Sequence, residues 1–435
     1  MKYCLDRFFG IHAVGSTISI EILAGVSTFW SLAYIFVVNP AILAHGGMDM
    51  SAVLFATITA SAAATITMGL WARLPFAVAP GMEMNSYVAF FAIGTVGLSW
   101  QQAMGAVFWS GVIFVILTAS GIRQHVIDSI PHRMKAGLAF CVGAFLALIG
   151  LKLSGVLIYE GVVFHGFGKL ASPEVLALIF GLGLALTLEH FNIRAAVLLS
   201  IIGTSIFCNF IGLSTKPSLS TTTENRGFFS AIGELDFSVI VNPKSFSIIL
   251  ILFVLDFYGS VAKFIGLTQN TSIMVDGKVP RMGRALWIDG GSTMIGAMLG
   301  TSSLIAYVES AVGIGVGGRT GLTALVCGLL MIACYAITPL IGYVPIHATT
   351  GVLVLIGIKL CPPLRDLNAY SITETWVLGL MLVTVVLTFA IDRAMLVGFL
   401  GYIFISINRR QIPDPFLVFS TFILLLSIGL QVANV

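Results

Sequence analysis

The sequence predicts an all-α polytopic membrane protein, a seven-plus-seven transmembrane inverted repeat whose third and tenth spans are discontinuous. Three observations carry this. First, 58% of the residues are hydrophobic and 9% are charged, against about 25% charged in soluble domains. Spanning-length apolar runs recur from Glu21 to the C-terminus, which excludes a soluble enzyme. Second, the two halves echo each other. Ala147-Leu-Ile-Gly-Leu-Lys-Leu153 resembles Val354-Leu-Ile-Gly-Ile-Lys-Leu360, each after a proline-led entry at Pro131 or Pro345. Arg194-Ala-Ala-Val-Leu likewise resembles Arg393-Ala-Met-Leu-Val. Two matches in the same order, offset by about half the chain, point to an internal duplication. Third, the stretch Gly300–Gly321 lies between two long apolar segments but is too short and too rich in glycine for an ordinary span, and it carries Glu309.

Taken in order, the first half offers apolar segments at 21–44, 50–71, 77–94, 101–121, 134–153, 174–189 and 193–213. The first run continues to spanning length without a small-residue cleavage site, so it reads as a span and not as a signal peptide. A polar stretch from Ser214 to Lys244 follows. The second half gives 246–267, 284–301, 302–316, 320–341, 346–360, 373–391 and 393–407, and a further run at 415–433 is left over. The expected divisions are a first repeat at 1–213, a connection at 214–245, a second repeat at 246–408 and a C-terminal apolar segment at 409–435. An odd number of spans per repeat makes equivalent segments run in opposite directions, so the repeats are inverted.

Charge in the loops gives the orientation. Lys2, Arg7, Arg73, the Arg123–Lys135 cluster, Lys278, Arg281 and Arg284 fall on one side, while loops 45–49, 95–100 and 342–346 carry no Lys or Arg. The positive-inside rule places the N-terminus in the cytoplasm of a cell-membrane protein. The six cysteines contain no CxxC and lie mostly in apolar segments, where they pack. The histidines sit in loops or at segment ends, which disfavours a metalloenzyme; His347 reads as a helix-start residue. No basic run suggests nucleic acid.

The broken segments hold the chemistry. An ionised carboxylate at the bilayer centre costs about 2.5–3.5 kcal/mol on insertion scales, so Glu309 is expected to have a function. Extended backbone through Ser302–Tyr307 would reach the midplane, with a half-helix beginning near Val308. Gly313–Gly321 lacks the Lys-Ser/Thr of a phosphate-binding loop and reads as a tight turn. The segment 77–94 mirrors this stretch: Pro80 and Gly81 interrupt it ahead of another acid, Glu83. Corresponding interrupted segments in two halves point to a transport site. Asp256, in Leu252-Phe-Val-Leu-Asp-Phe-Tyr-Gly259, is a further intramembrane acid. Lys263 lies two turns beyond it near the segment's end and is expected to snorkel to the interface. Asp289 is expected to pair with Arg284 or Arg281. If Glu83 and Glu309 face one cavity, they cannot both be ionised cheaply, and one is expected to carry a proton. Carboxylates near broken-helix ends suit a small planar ligand with several N–H donors. The residues alone lead to a proton-coupled carrier of a small, partly polar solute, with no cofactor.

At these residues the chain resembles the nucleobase–ascorbate (xanthine/uracil/vitamin C) permease superfamily, specifically its AzgA-like guanine/hypoxanthine/adenine branch. The likeness runs through Leu5-Asp-Arg-Phe-Phe, Glu21-Ile-Leu-Ala-Gly-Val-Ser-Thr-Phe, Ala33-Tyr-Ile-Phe-Val-Val-Asn-Pro40 and Ala79-Pro-Gly-Met. It continues through Leu148-Ile-Gly-Leu-Lys152 and Gly277-Lys-Val-Pro-Arg-Met-Gly-Arg-Ala285. Most specific of all is Tyr307-Val-Glu-Ser-Ala followed by Gly317-Gly-Arg-Thr-Gly-Leu-Thr323. The resemblance implies core and gate domains, proton symport, and spans three and ten crossing at the substrate. By position Asp256 and Glu309 match the family's acids that hold the base and couple protons. Tyr307, Glu83, Asn85 and Ser303 complete the candidate binding set. Implied partners are a nucleobase, most simply a purine such as guanine, hypoxanthine or adenine, together with protons, the lipid bilayer and, as an assembly, a homodimer.

The chain departs from that family at the site itself. Glu83-Met-Asn-Ser86 stands where Gly-Leu-Asn-Ala usually follows Pro-Gly-Met, and Gly259 where a second Asp often lies. Lys263 replaces a small polar residue, and Ile305 and Ala306 replace two threonines before Tyr307. Lys263 opens an alternative reading, an anion (sulfate-like) carrier or channel-like protein on the same fold.

Overall fold

A computed structural model describes residues 2–120, 132–160, 163–193, 195–213, 227–241, 243–268, 271, 273–274, 279–338, 344–361, 372–389, 391–413 and 415–433. Arg194, Lys278, residues 123–131 of the basic cluster, 214–226 of the polar connection and the end of the 320–341 segment lie outside the described residues.

Fourteen segments follow one another among the described residues, close to the boundaries that hydropathy sets. Span 1 is bent: Ile18–Leu32, capped by the Thr17 hydroxyl, continues after a break at Ala33-Tyr34 as Ile35–His45. Span 2, Met50–Thr67, starts on Asp49, whose carboxylate accepts the Ala52 N–H at 2.9 Å, and it widens into a π-helical turn at Met68–Ala72. Span 3 opens as a strand, β1 (Val78–Pro80), then turns helical over Met82–Ser86 and Tyr87–Ile93. Span 4 is Trp100–Ala119, begun by a reciprocal Ser99–Gln102 capping box. Span 5, His132–Leu153, leads into a hairpin of β2 (Leu157–Glu160) and β3 (Val163–Phe167). Spans 6 and 7 are Pro173–His190 and Ala196–Phe210.

The second set repeats the pattern. Spans 8 and 9 are Pro243–Thr268 and Met282–Leu299. Span 10 is broken like span 3, with β4 (Leu304–Ala306) followed by a half-helix, Ser310–Val316. Span 11 begins with Gly321–Ala333; spans 12 to 14 are His347–Leu360, Ile372–Thr388 and Ile391–Asn408. The leftover run is a 19-residue helix, Pro415–Ala433, packed on spans 8 and 14. Five of the described helices are individually long and apolar enough to cross a bilayer: Ile18–His45, Met50–Ala72, Trp100–Ala119, Pro173–His190 and Ile391–Asn408. The architecture is the seven-plus-seven inverted repeat of a multi-pass membrane protein.

The two breaks meet. β1 and β4 run antiparallel, with Val78 opposite Ala306, Ala79 opposite Ile305 and Pro80 opposite Leu304. Backbone inside a membrane must find hydrogen bonds within the protein, and here each broken span supplies the other. Gly81 N donates to Ser303 O and Tyr307 N to Ala77 O, both at 2.9 Å. Thr65 completes the frame, its hydroxyl bonding both the N–H and the C=O of Val78. The half-helix runs through Val316 and stops at Gly317, where φ is +115°, so the turn expected over Gly313–Gly321 is confined to the residues after Val316.

Two groups of helices surround this crossing. Span 12 packs on spans 5 and 6, and span 13 on spans 14 and 5. Span 11 packs on spans 1 and 2, while span 4 packs on spans 8 and 9. Small residues allow the closest approaches. A Cβ on Gly143 of span 5 would run into the Gly357 carbonyl of span 12, and a Cβ on Gly321 would run into the Gly69 carbonyl of span 2.

Candidate substrate site

Glu309 sits between β4 and the half-helix, at the position preceding Ser310. Its side chain caps no N–H of that helix; instead Tyr34, at the break in span 1, donates its hydroxyl to Glu309 Oε1 at 2.5 Å. Tyr307 is buried and turns its hydroxyl back to the Pro80 carbonyl at 3.1 Å, tying the end of one broken span to the other. The half-helix begins two residues later than the expected start near Val308.

Glu83 lies on the first helical turn of span 3 and is buried. Its partner is Lys263 of span 8, whose Nζ is 2.5 Å from Glu83 Oε1, with side-chain exposures of 13% and 6%. The expected snorkelling of Lys263 is therefore overturned. Its stem turns inward because a buried carboxylate is within reach, and charge pairing there outweighs access to the interface. Glu83 and Glu309 do line one cavity, as the like-charge argument supposed, but a cation stands beside Glu83 and offsets the repulsion on which that argument relied. Gly259, one turn before Lys263, faces the same carboxylate: a Cβ there would lie 3.7 Å from Glu83 Oε1, an ordinary contact distance.

These residues line one cavity. Tyr34, Met82, Glu83, Lys263, Tyr307, Val308, Glu309 and Ile356 surround about 300 Å³ of empty space, part of it open to solvent. Polar groups from spans 1, 3, 8 and 10 converge there on an otherwise apolar lining, the usual composition of a small-molecule site.

The remaining predicted residues stand behind this cavity. Asp256 is buried and accepts from the Ser260 and Thr293 hydroxyls, both at 3.4 Å; Thr293 in turn shares a 2.9 Å hydrogen bond with Ser303. Asp256 and Ser303 thus belong to one cluster between spans 8, 9 and 10. Asn85 belongs to another: it donates to Asn39 and accepts from Ser302, while Asn39 reaches Thr57 at 2.7 Å and Thr301 at 3.0 Å. That network staples spans 1, 2, 3 and 10. Asp289 is fully buried, whereas Arg284 is exposed and donates to the Trp71 carbonyl at 3.2 Å. His347 opens span 12, as its place in the sequence suggests.

Sequence reasoning missed Tyr34, Met82, Val308 and Ile356. Tyr34 stands in a quoted motif, but a tyrosine in an apolar run reads as packing until its partner is known. Ile356 sits within the half-to-half echo, where only its apolar character is visible.

A cavity with converging polar groups at the crossing of two broken spans, inside a seven-plus-seven repeat, is the arrangement of a transport protein. The chain belongs to the family described as the Permease family, whose Xan_ur_permease model matches residues 19–396. It is 35% identical to adenine permease AdeP of Escherichia coli (strain K12), covering 94% of this chain and 92% of AdeP. It is 33% identical to guanine/hypoxanthine permease PbuG of Bacillus subtilis (strain 168), covering 92% and 93% respectively. Its fold is similar to the transmembrane domain of the cyanobacterial bicarbonate transporter BicA, with a TM-score of 0.66 at 14% identity, over 87% of this chain and 97% of that one.

Proposed function

We propose that this chain is a secondary active transporter that takes up a purine base with protons by alternating access, its N-terminus in the cytoplasm. The observation that carries the reading is Glu309, a carboxylate held by Tyr34 in the lining of a cavity where two broken spans meet. A carboxylate accepts parallel N–H donors, and purines present such edges. The names of AdeP and PbuG, similar over nearly the whole chain, support a nucleobase as the substrate class. In this reading Glu309 and Tyr307 contact the base, Glu83 acts from the cavity wall through its partner Lys263, Asn85 and Ser303 shape the crossing from behind, and Glu309 and Asp256 handle the proton. The helices around span 12 act as the gate and those around spans 1, 2 and 11 as the core.

The anion-carrier alternative drew on Lys263. Glu83 neutralises that cation, and Glu309 adds a further carboxylate, so the cavity does not favour an anion. Uptake of labelled adenine, guanine, hypoxanthine, uracil and sulfate into proteoliposomes, with and without an imposed proton gradient, tests both readings. Purine accumulation driven by the gradient is expected; sulfate uptake without base uptake would overturn the proposal.

A further inference from the structure

Lys263 has more hydrogen-bonding capacity than Glu83 uses. An ammonium carries three donors. One goes to Glu83 Oε1 at 2.5 Å, and among the described residues Lys263 makes no other hydrogen bond. Its head lines the same cavity as Glu309. Two donors therefore remain for whatever the cavity holds, beside a carboxylate that can only accept.

Glu83 is set for the complementary task. It is rooted in the first turn of span 3, directly after the strand that β4 fixes, and its carboxylate lies against span 8 beside Gly259. A lysine stem is long and flexible, so an ammonium without such an anchor would not hold one position. The pair ties span 3 to span 8 and gives the ammonium a fixed direction.

We infer that Lys263 is a substrate-binding residue and that Glu83 is the positioning residue that aims it. Lys263 donates to an acceptor atom of the base, next to the N–H edge that Glu309 accepts. The inference rests on the purine reading above. Purines carry the matching arrangement: adenine sets its N6 amino group beside the N1 acceptor, and hypoxanthine sets N1–H beside O6. An ammonium and a carboxylate in one cavity pair with both atoms at once. A ligand lacking the acceptor leaves buried donors unmatched, which costs about 1–3 kcal/mol and corresponds to roughly 5- to 150-fold in affinity.

The test deletes the acceptor from the ligand and the donor from the protein. Equilibrium binding of adenine against 1-deazaadenine, and of hypoxanthine against 6-mercaptopurine, is measured on purified wild type, K263M, E83Q and the double variant E83M/K263M. Wild type is expected to prefer the full acceptor by about 10-fold or more in the adenine pair, and by less in the sulfur pair. In K263M the preference should collapse to within about twofold. E83Q should weaken adenine while leaving 1-deazaadenine unchanged, a pattern that general loosening of the fold would not produce. Removing one partner of a buried pair is destabilising, whereas an apolar replacement of both is often tolerated. The double variant should therefore insert and fold, and should have lost the preference. Undiminished preference in K263M or in the double variant overturns the assignment of Lys263 alone. Failure of wild type to bind any base overturns the purine reading and this assignment together.

Discussion

Tyr34 and Glu309 are 275 residues apart, yet the tyrosine hydroxyl lies 2.5 Å from the Glu309 carboxylate. Both stand where a span departs from regular helix: Tyr34 at the bend of span 1, Glu309 between β4 and the half-helix of span 10. The interruptions free these side chains from a helical surface and let them meet beside the cavity. One lone pair of Glu309 is committed to Tyr34, and the others remain for a ligand.

Glu309→Gln is expected to abolish transport while the protein remains folded and inserted. The amide keeps the shape, but it turns one acceptor into a donor facing Tyr34 and the ligand, and it cannot take up a proton. Proteoliposome uptake should fall by about 100-fold or more, in line with a lost charged hydrogen bond plus an unpaired buried donor. Uptake above half the wild-type rate would sink the role of Glu309.

Tyr34→Phe removes only the donor that fixes Glu309. Hydrogen bonds to charged groups are worth about 1.5–3 kcal/mol, so uptake at low substrate should drop by roughly an order of magnitude. The loss should appear mainly as a higher half-saturation concentration, because the carboxylate is still present but less well aimed. Kinetics within twofold of wild type would show that Glu309 is held by its backbone alone.

How much of this was legible depends on the range of the interaction. The broken spans were visible because their signals are local: Pro80-Gly81 ahead of Glu83, and the glycine-rich run around Glu309. Their crossing is what the family resemblance implies, and the β1–β4 pairing joins the two stretches that the sequence marks as unable to span as helix. The wiring of the site was not visible. Lys263 and Glu83 are 180 residues apart, and a lysine near a segment's end can turn outward or inward with the same pattern around it. Asn85 and Ser303 read as substrate-binding residues from the sequence, and nothing local says whether a polar side chain faces the cavity or a neighbouring helix. Only the fold shows that Asn85 bonds Asn39 and Ser302, and that Ser303 bonds Thr293.

Gly143→Val tests the packing between spans 5 and 12. The added side chain meets the Gly357 carbonyl, which is backbone and cannot swing aside. Overpacking of this kind costs about 1–3 kcal/mol, occasionally more. The apparent melting temperature in detergent should fall by several degrees, with less inserted protein. A variant as stable as wild type would mean that the two helices separate freely at this point.

Asp256→Asn should separate binding from coupling. Asp256 is buried behind the cavity, between the hydroxyls of Ser260 and Thr293 at 3.4 Å, and is not among the cavity's lining residues. Asparagine keeps one acceptor oxygen in nearly the same volume, so the local packing survives. The hydrogen bonds from Ser260 and Thr293 are long and therefore weak, which limits what their loss costs binding. What the amide cannot do is gain and lose a proton as the site changes sides. If Asp256 carries the coupling proton, purified D256N should bind the base within about threefold of wild type and still exchange labelled for unlabelled base across proteoliposomes. It should fail to accumulate base when a proton gradient is imposed, so that internal and external concentrations only equalise. Should D256N accumulate base as wild type does, the proton is carried elsewhere and Glu309 becomes the sole candidate of the pair. Should binding be lost outright, Asp256 shapes the site through Thr293 and Ser303, and its part is structural.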